Sequence, residues 1–351
     1  MKRKSCNCIL TAALISVLML TGCQNHQSED MEAYRKIGID CMENGDYAGA
    51  VAAFDSALSK CLGGIGAEEL DICYYKAAAQ YAGGDIEGAM STYTALIEYD
   101  QKSADAYYLR GSLYLKQGET QAAMADYDMA VKNNPDDYEL YISIYENLAG
   151  YGMKADGENY LNKAFSIKGN EMENKTYRGE IYYLLGQYDN AATELAGAVE
   201  AGSTDAYFYL GQTYEARGEE ANAESCYQAF IDSGVANAES LNAIGEIKLK
   251  KGSYAEALSY FEQAMNQEEI SNKREIMQNL VIAYEYCGDF TSAWNVIQEY
   301  VALYPEDVNA QREYLFLQNR QPKEEPVEET ETDETETDDV SETDSTEIVT
   351  E

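Results

Sequence analysis

Few residues in this chain could make or break bonds. A single histidine, His26, stands in a sequence of 351 residues. A serine or cysteine nucleophile needs a base to take its proton, and His26 is remote in sequence from the body of the chain. No Gly-x-Ser-x-Gly elbow, phosphate loop or dinucleotide fingerprint occurs. The glycine-rich stretch Cys61-Leu62-Gly63-Gly64-Ile65-Gly66 lacks the Gly-Lys-Ser/Thr that would cradle a phosphate, and reads as a loop. Histidine and cysteine never gather at zinc-ligand spacing. Carboxylates could serve as acids or bases, but 63 Asp and Glu are present and no pair stands out. The sequence is therefore that of a non-enzyme without cofactor or metal. Its functional groups are the side chains of a binding surface.

Helices must carry that surface. In residues 104–137, Tyr107, Gly111 and Tyr114 fall at i, i+4 and i+7, on one helical face. Gly118 allows the left-handed turn that reverses the chain. Ala123, Tyr127 and Ala130 repeat the spacing on a second helix, which Pro135 ends. The unit recurs. The turn glycines Gly45, Gly84, Gly118, Gly152, Gly186, Gly218, Gly252 and Gly288 are 39, 34, 34, 34, 32, 34 and 36 residues apart. Five residues after each comes Ala50, Ala89, Ala123, Gly157, Ala191, Ala223, Ala257 or Ala293. Four further on comes Phe54, Tyr93, Tyr127, Leu161, Leu195, Tyr227, Phe261 or Ile297. One hairpin cannot bury its own apolar face, so neighbours must stack. The fourth unit departs from the rule: Tyr145 stands where a small residue is expected and Gly157 replaces the alanine, so local distortion is expected there.

The hairpin of residues 104–137 resembles a tetratricopeptide repeat through Tyr107, Gly111, Tyr114, Ala123, Tyr127 and Pro135. Tyr107 stands where that family most often has tryptophan. The resemblance implies an all-α fold, a right-handed superhelical solenoid of about eight helical hairpins over residues 31–307. A capping helix over 308–320 would follow, with Ala310, Tyr314 and Leu317 turned inward and a polar outer side.

The same resemblance implies that the first helix of each repeat lines a concave groove through its positions 2, 5, 9 and 12. Position 2 is acidic eight times: Glu32, Asp71, Asp105, Glu139, Glu173, Asp205, Glu239 and Glu275. Helix N-termini favour carboxylates by themselves, which accounts for much of this pattern. The remaining groove positions supply Tyr74, Tyr81, Tyr108, Tyr183 and Phe208, with Glu180, Glu215, Glu246 and Glu285. Most other tyrosines sit at packing positions. Some family members grip a C-terminal carboxylate with Lys/Arg and Asn at positions 5 and 9. Here those positions hold Arg35 and Ile39, Tyr74 and Ala78, then Tyr108 and Ser112, so that clamp is not expected. Aromatic rings beside carboxylates suit a protein or peptide partner of basic-apolar composition, and also a glycan or other small polymer. A third possibility is a spacer that displays its tail.

The N-terminus is a separate segment. Lys2, Arg3 and Lys4 precede an apolar run of 12 residues from Ile9 to Leu20, too short to span a bilayer comfortably. Leu20-Thr21-Gly22-Cys23 follows and resembles the lipobox of a bacterial lipoprotein. The resemblance implies removal of residues 1–22, a lipid on the Cys23 sulfur, residues 23–30 as a short leash and an extracytoplasmic membrane location. Beyond Cys23 there remain Cys41, Cys61, Cys73, Cys226 and Cys287. No disulfide framework is expected, although Cys61 and Cys73 flank one loop and could pair. Formal net charge is −38, which argues against nucleic acid. Residues 321–351 hold 14 acidic side chains and one lysine, Lys323, and cannot bury a core, so they read as a disordered acidic tail.

Overall fold

Every regular element of the computed structural model, which describes residues 29–61 and 65–321, is a helix. Residues 1–28, with the expected signal segment, Cys23 and His26, residues 62–64, and the acidic residues past 321 lie outside the described residues. The helices fall into two compact units, one ending at Val235 and one beginning at Ala236.

The first unit holds six hairpins. They are α1 (29–43) with α2 (Tyr47–Leu58), α3 (Ala67–Ala82) with α4 (Ile86–Tyr99), and α5 (Ala104–Lys116) with α6 (Thr120–Asn133). After these come α7 (Tyr138–Gly150) with α8 (Lys154–Ala164), α9 (Glu171–Leu184) with α10 (Tyr188–Glu200), and α11 (Asp205–Ala216) with α12 (Glu220–Asp232). The second unit holds α13 (Ala238–Lys250) with α14 (Tyr254–Met265), α15 (Lys273–Cys287) with α16 (Phe290–Leu303), and α17 (Val308–Gln318). All eight turn glycines have positive φ, between 72° and 85°. Helix starts are capped by side chains: Asp46, Asp85, Ser103, Asp137, Asn170, Asn237, Asp289 and Asp307 each accept a bond from a backbone N–H two or three residues on. Helix α3 begins at Ala67, three residues before the repeat register predicts, because Gly66 N–H donates to Glu69 Oε2 (2.8 Å) and starts the helix early.

Each hairpin closes by seating the large residue of its second helix on the small residue of its first. A Cβ on Gly38 would lie 2.4 Å from the Phe54 ring, on Gly111 2.9 Å from Tyr127, on Gly179 2.4 Å from Leu195 and on Gly211 2.6 Å from Tyr227. In the second unit Gly245 is covered by Phe261 in the same way, at 2.4 Å. Where the small residue is Val281 the large one has shrunk to Ile297, and both are buried in one cluster. The fourth hairpin reverses the arrangement. Tyr145 is buried on α7 because Gly157 on α8 has no Cβ; one there would lie 3.0 Å from the Tyr145 ring and 3.1 Å from its backbone. The missing Cβ at Gly157 is what lets the Tyr145 ring lie against α8. Replacing Gly157 by Ala is expected to cost about 1–2 kcal/mol in a chemical-denaturation experiment, the usual penalty of overpacking. In a Tyr145→Ala background the same change should cost nothing, because the two sites share one space.

Ring contacts join neighbouring hairpins: Tyr127 meets Tyr160 edge-on at 6.4 Å, Tyr138 stacks on Tyr177 at 4.9 Å, and Phe165 lies 4.7 Å from Tyr182. Among the described residues no disulfide forms, and Cys61 and Cys73 are not bridged. Helix α17 buries Ala310 and Leu317 and lays Tyr314 against Trp294 (4.7 Å). Its outer side is not polar as the sequence suggests: Leu315 is 56% exposed and Phe316 44%, the latter under the Arg320 guanidinium at 4.0 Å. Three consecutive apolar residues, Leu315 to Leu317, span too wide an arc for one helix face to hide them all.

Candidate functional site

The first helices of the hairpins in the first unit carry two clefts that meet at one residue, Glu146. The first, of about 460 Å³, is lined by Tyr81, Tyr93, Tyr108 and Tyr151 together with Glu146 and Asn147. Tyr108 stands one turn into α5, whose start Ser103 caps; its neighbour Tyr107 turns inward and is buried. Tyr151 follows the last residue of α7, immediately before the left-handed Gly152, and the reversal leaves it 51% exposed. Tyr81 is held at the rim by Lys116, whose ammonium lies 4.3 Å over its ring and donates to its hydroxyl at 3.0 Å.

The floor of this cleft has an unmet hydrogen bond. Ser112 gives its only proton to the Tyr108 carbonyl (3.0 Å), so it can only accept from Asn147 Nδ2 (2.9 Å). That fixes the amide orientation. Asn147 Oδ1 is left buried without a donor.

The second cleft, of about 540 Å³, is lined by the carboxylates Glu139, Glu146, Glu173, Glu180 and Asp205. Glu139 accepts from the Tyr177 hydroxyl at 2.8 Å. Glu173 is held at the start of α9 by Asn170 Nδ2, at 2.6 Å. Glu180 is only 9% exposed. Burial pushes its carboxyl up to about 7; the charges of Glu146 and Glu139 add to the rise, and a hydrogen bond to Tyr209 opposes it. The Tyr209 phenol is raised in turn, first by burial and then by the Glu180 charge.

Of the side chains singled out in the sequence, Tyr81, Tyr108 and Glu180 line these clefts. Tyr74 is half-buried and shares a 2.6 Å hydrogen bond with Ser103 Oγ. Tyr183 packs against Tyr188 at 5.9 Å. Phe208 is buried in the core, 6.1 Å from Tyr227 and 5.5 Å from Phe230. It occupies a groove position in the repeat numbering, but it has no polar group to draw it toward water and large rings on α12 to pack against. Glu215 accepts from the Tyr227 hydroxyl at 3.1 Å. In the second unit, Glu246 accepts from Asn242 (3.3 Å) and Asn279 (2.9 Å). Glu285 lies in a cleft of about 310 Å³ with Glu313 and Asp307; burial and the hydrogen bond to Glu313 raise its carboxyl.

The sequence reading missed Tyr151 and Glu146. It placed Glu139, Glu173 and Asp205 at groove position 2 but ascribed their acidity chiefly to the helix N-termini. They do stand in first turns, yet they also face the cleft. The available signal was acidic position 2 in three consecutive repeats flanking acidic position 9 in two of them, Glu146 and Glu180.

Comparison with known proteins agrees with this architecture. The tetratricopeptide repeat family model matches residues 74–138, 176–234 and 210–268. The chain is 22% identical over 325 residues to DnaJ homolog subfamily C member 3 of Mus musculus and of Homo sapiens; the match covers 84% of this chain. It spans only 63% of the length of those relatives. Among solved structures, a tetratricopeptide repeat protein from Parabacteroides merdae aligns with a TM-score of 0.50 at 19% identity, over 73% of this chain and 99% of its own.

Proposed function

We propose that this body of tetratricopeptide repeats is a lipid-anchored scaffold at the bacterial cell envelope, on the extracytoplasmic side of a membrane, and that it holds a protein partner. The observation that carries the binding reading is the pair of clefts meeting at Glu146: rings and carboxylates gathered on one face of successive helices. A surface of this kind offers apolar area and a negative field together, and so suits a basic-apolar segment. The net charge of −38 disfavours nucleic acid in the same place.

The anchor rests on Leu20-Thr21-Gly22-Cys23 after the short apolar run. Two or more acyl chains hold a protein at a bilayer where one does not. In a detergent phase partition the wild-type protein is expected in the detergent phase, and Cys23→Ala in the aqueous phase. Wild-type protein that is already aqueous, with a mature start elsewhere by mass spectrometry, would overturn the anchor. Affinity capture from detergent-solubilised envelopes tests the scaffold role. Capture should be lost in a Tyr108→Ala/Glu173→Lys variant, and capture indifferent to that pair would remove the clefts from the function.

A further inference from the structure

The two clefts differ in chemistry and are joined in space, which restricts what can occupy both. The tyrosine cleft lies across α5 and α7 with Tyr81 of α3 and Tyr93 of α4 at its side, and the carboxylate cleft across α7, α9 and α11. Neither is large enough for a helix of 10–12 Å diameter with its side chains; each suits one or two large side chains. The tyrosine cleft is lined by Tyr81, Tyr93, Tyr108 and Tyr151, whose rings offer apolar area to a large apolar or aromatic side chain. In the carboxylate cleft, five acidic groups, the nearly buried Glu180 among them, call for a positive charge.

We propose that the groove of the first unit takes one extended segment of a partner protein in a fixed register, with an apolar or aromatic side chain in the tyrosine cleft and a lysine or arginine in the carboxylate cleft. The spacing follows from the scaffold. Tyr108 is on α5 and Glu180 on α9, with α7 between them. Packed helices stand about 8–10 Å apart, so the two anchors are roughly 16–20 Å apart. An extended chain advances about 3.3 Å per residue, which places the apolar and basic anchors about five or six residues apart. This inference rests on the groove binding a peptide at all, and adds the register and the order of chemistries along it.

The test uses the full chain and synthetic peptides, each with one tryptophan and one arginine pair in an otherwise Ala/Ser/Gly sequence. The separation runs from about two to about ten residues, bracketing the value that helix spacing sets. Fluorescence polarisation should show affinity peaking at five or six, at least tenfold above the two extremes. Tyr151→Ala, at an exposed position, should remove the preference for tryptophan and keep the salt dependence. Glu173→Gln with Glu180→Gln should do the reverse, since exposed ionic attraction is what salt screens. Tight binding at every separation, with both groove variants still harmful, would overturn the register and leave the groove standing. Binding that is unaffected by either variant, or absent for all peptides, would overturn both.

Discussion

Substituting Gly211 by leucine is expected to cost about 3 kcal/mol, the upper end of ordinary overpacking penalties. A Cβ at this site would lie 2.6 Å from Tyr227 Cε1 and 2.7 Å from Cδ1, and leucine adds three more carbons in the same direction. The ring cannot retreat. Tyr227 is fully buried, and its hydroxyl donates to Glu215 at 3.1 Å. Burial and the nearby Glu215 carboxylate both raise the Tyr227 phenol, so the proton that makes that bond is firmly held. The two helices must separate instead. Repeats interact chiefly with their neighbours, so the loss should concentrate in α11 and α12 as faster amide exchange. Gly150 is the control. Nothing stands within 4 Å of a Cβ added there, so Gly150→Ala should be neutral or stabilise by up to about 1 kcal/mol through helix propensity. A Gly211→Leu protein that melts with the wild type would refute the packing register.

That register was legible because it depends on size alone. Glycine or a small residue on one helix, a small residue four before a large one on the next, and a glycine able to take positive φ between them are all visible in the string of letters. Even the exception has a local reason, since Tyr145 is accommodated where Gly157 has no Cβ. What sequence could not show was the division after Val235, since the glycine spacing of 34 residues runs straight across it. The exposed Leu315 and Phe316 were also hidden, because a helix that ends a stack has a neighbour on one side only.

The binding surface was less legible, for a physical reason. A position number places a side chain on a helix face, but whether it stays there depends on what the next helix offers. Phe208 was drawn inward by Tyr227 and Phe230. Tyr151 was drawn outward by a turn glycine that periodicity does not count. Acidic residues at helix starts suit the dipole's positive end and can also line a cleft, and position number alone does not say which role dominates. The aromatic floor and the acidic rail read as mixed along the chain. In the first unit they separate into two adjoining clefts.

The separation has its largest thermodynamic consequence at Glu180. Its carboxyl is raised from the ordinary glutamate value of 4.5 to about 7, chiefly by burial. The folded protein therefore holds this proton more tightly than the unfolded chain does. Between those pH values the native state binds more protons than the unfolded state, so stability falls as pH rises through the window. Below it the contribution is fully present; above it an ionised carboxylate must be kept in a site that resists it. At about 1.4 kcal/mol per pH unit, the loss by pH 8 is on the order of 3 kcal/mol. The groups that face Glu180 offer no positive charge: Glu139 and Glu146 on α7, Glu173 on α9, Asp205 on α11, and the Tyr177 and Tyr209 hydroxyls. Glutamine keeps the shape and can still accept from Tyr209. Glu180→Gln should therefore match the wild type near pH 4 and exceed it by about 3 kcal/mol at pH 8, read by urea unfolding at both pH values. A difference that is equal at the two pH values, or reversed at pH 8, would remove Glu180 as a buried acid. A cation in the cleft would change the balance, because it stabilises the ionised form and expels the proton. Binding of a basic segment should then release protons near pH 6.5, so that two buffers of different ionisation enthalpy give different apparent heats. On the proposed reading, the stability lost by keeping a carboxylate at this position is offset when a positive charge enters the cleft.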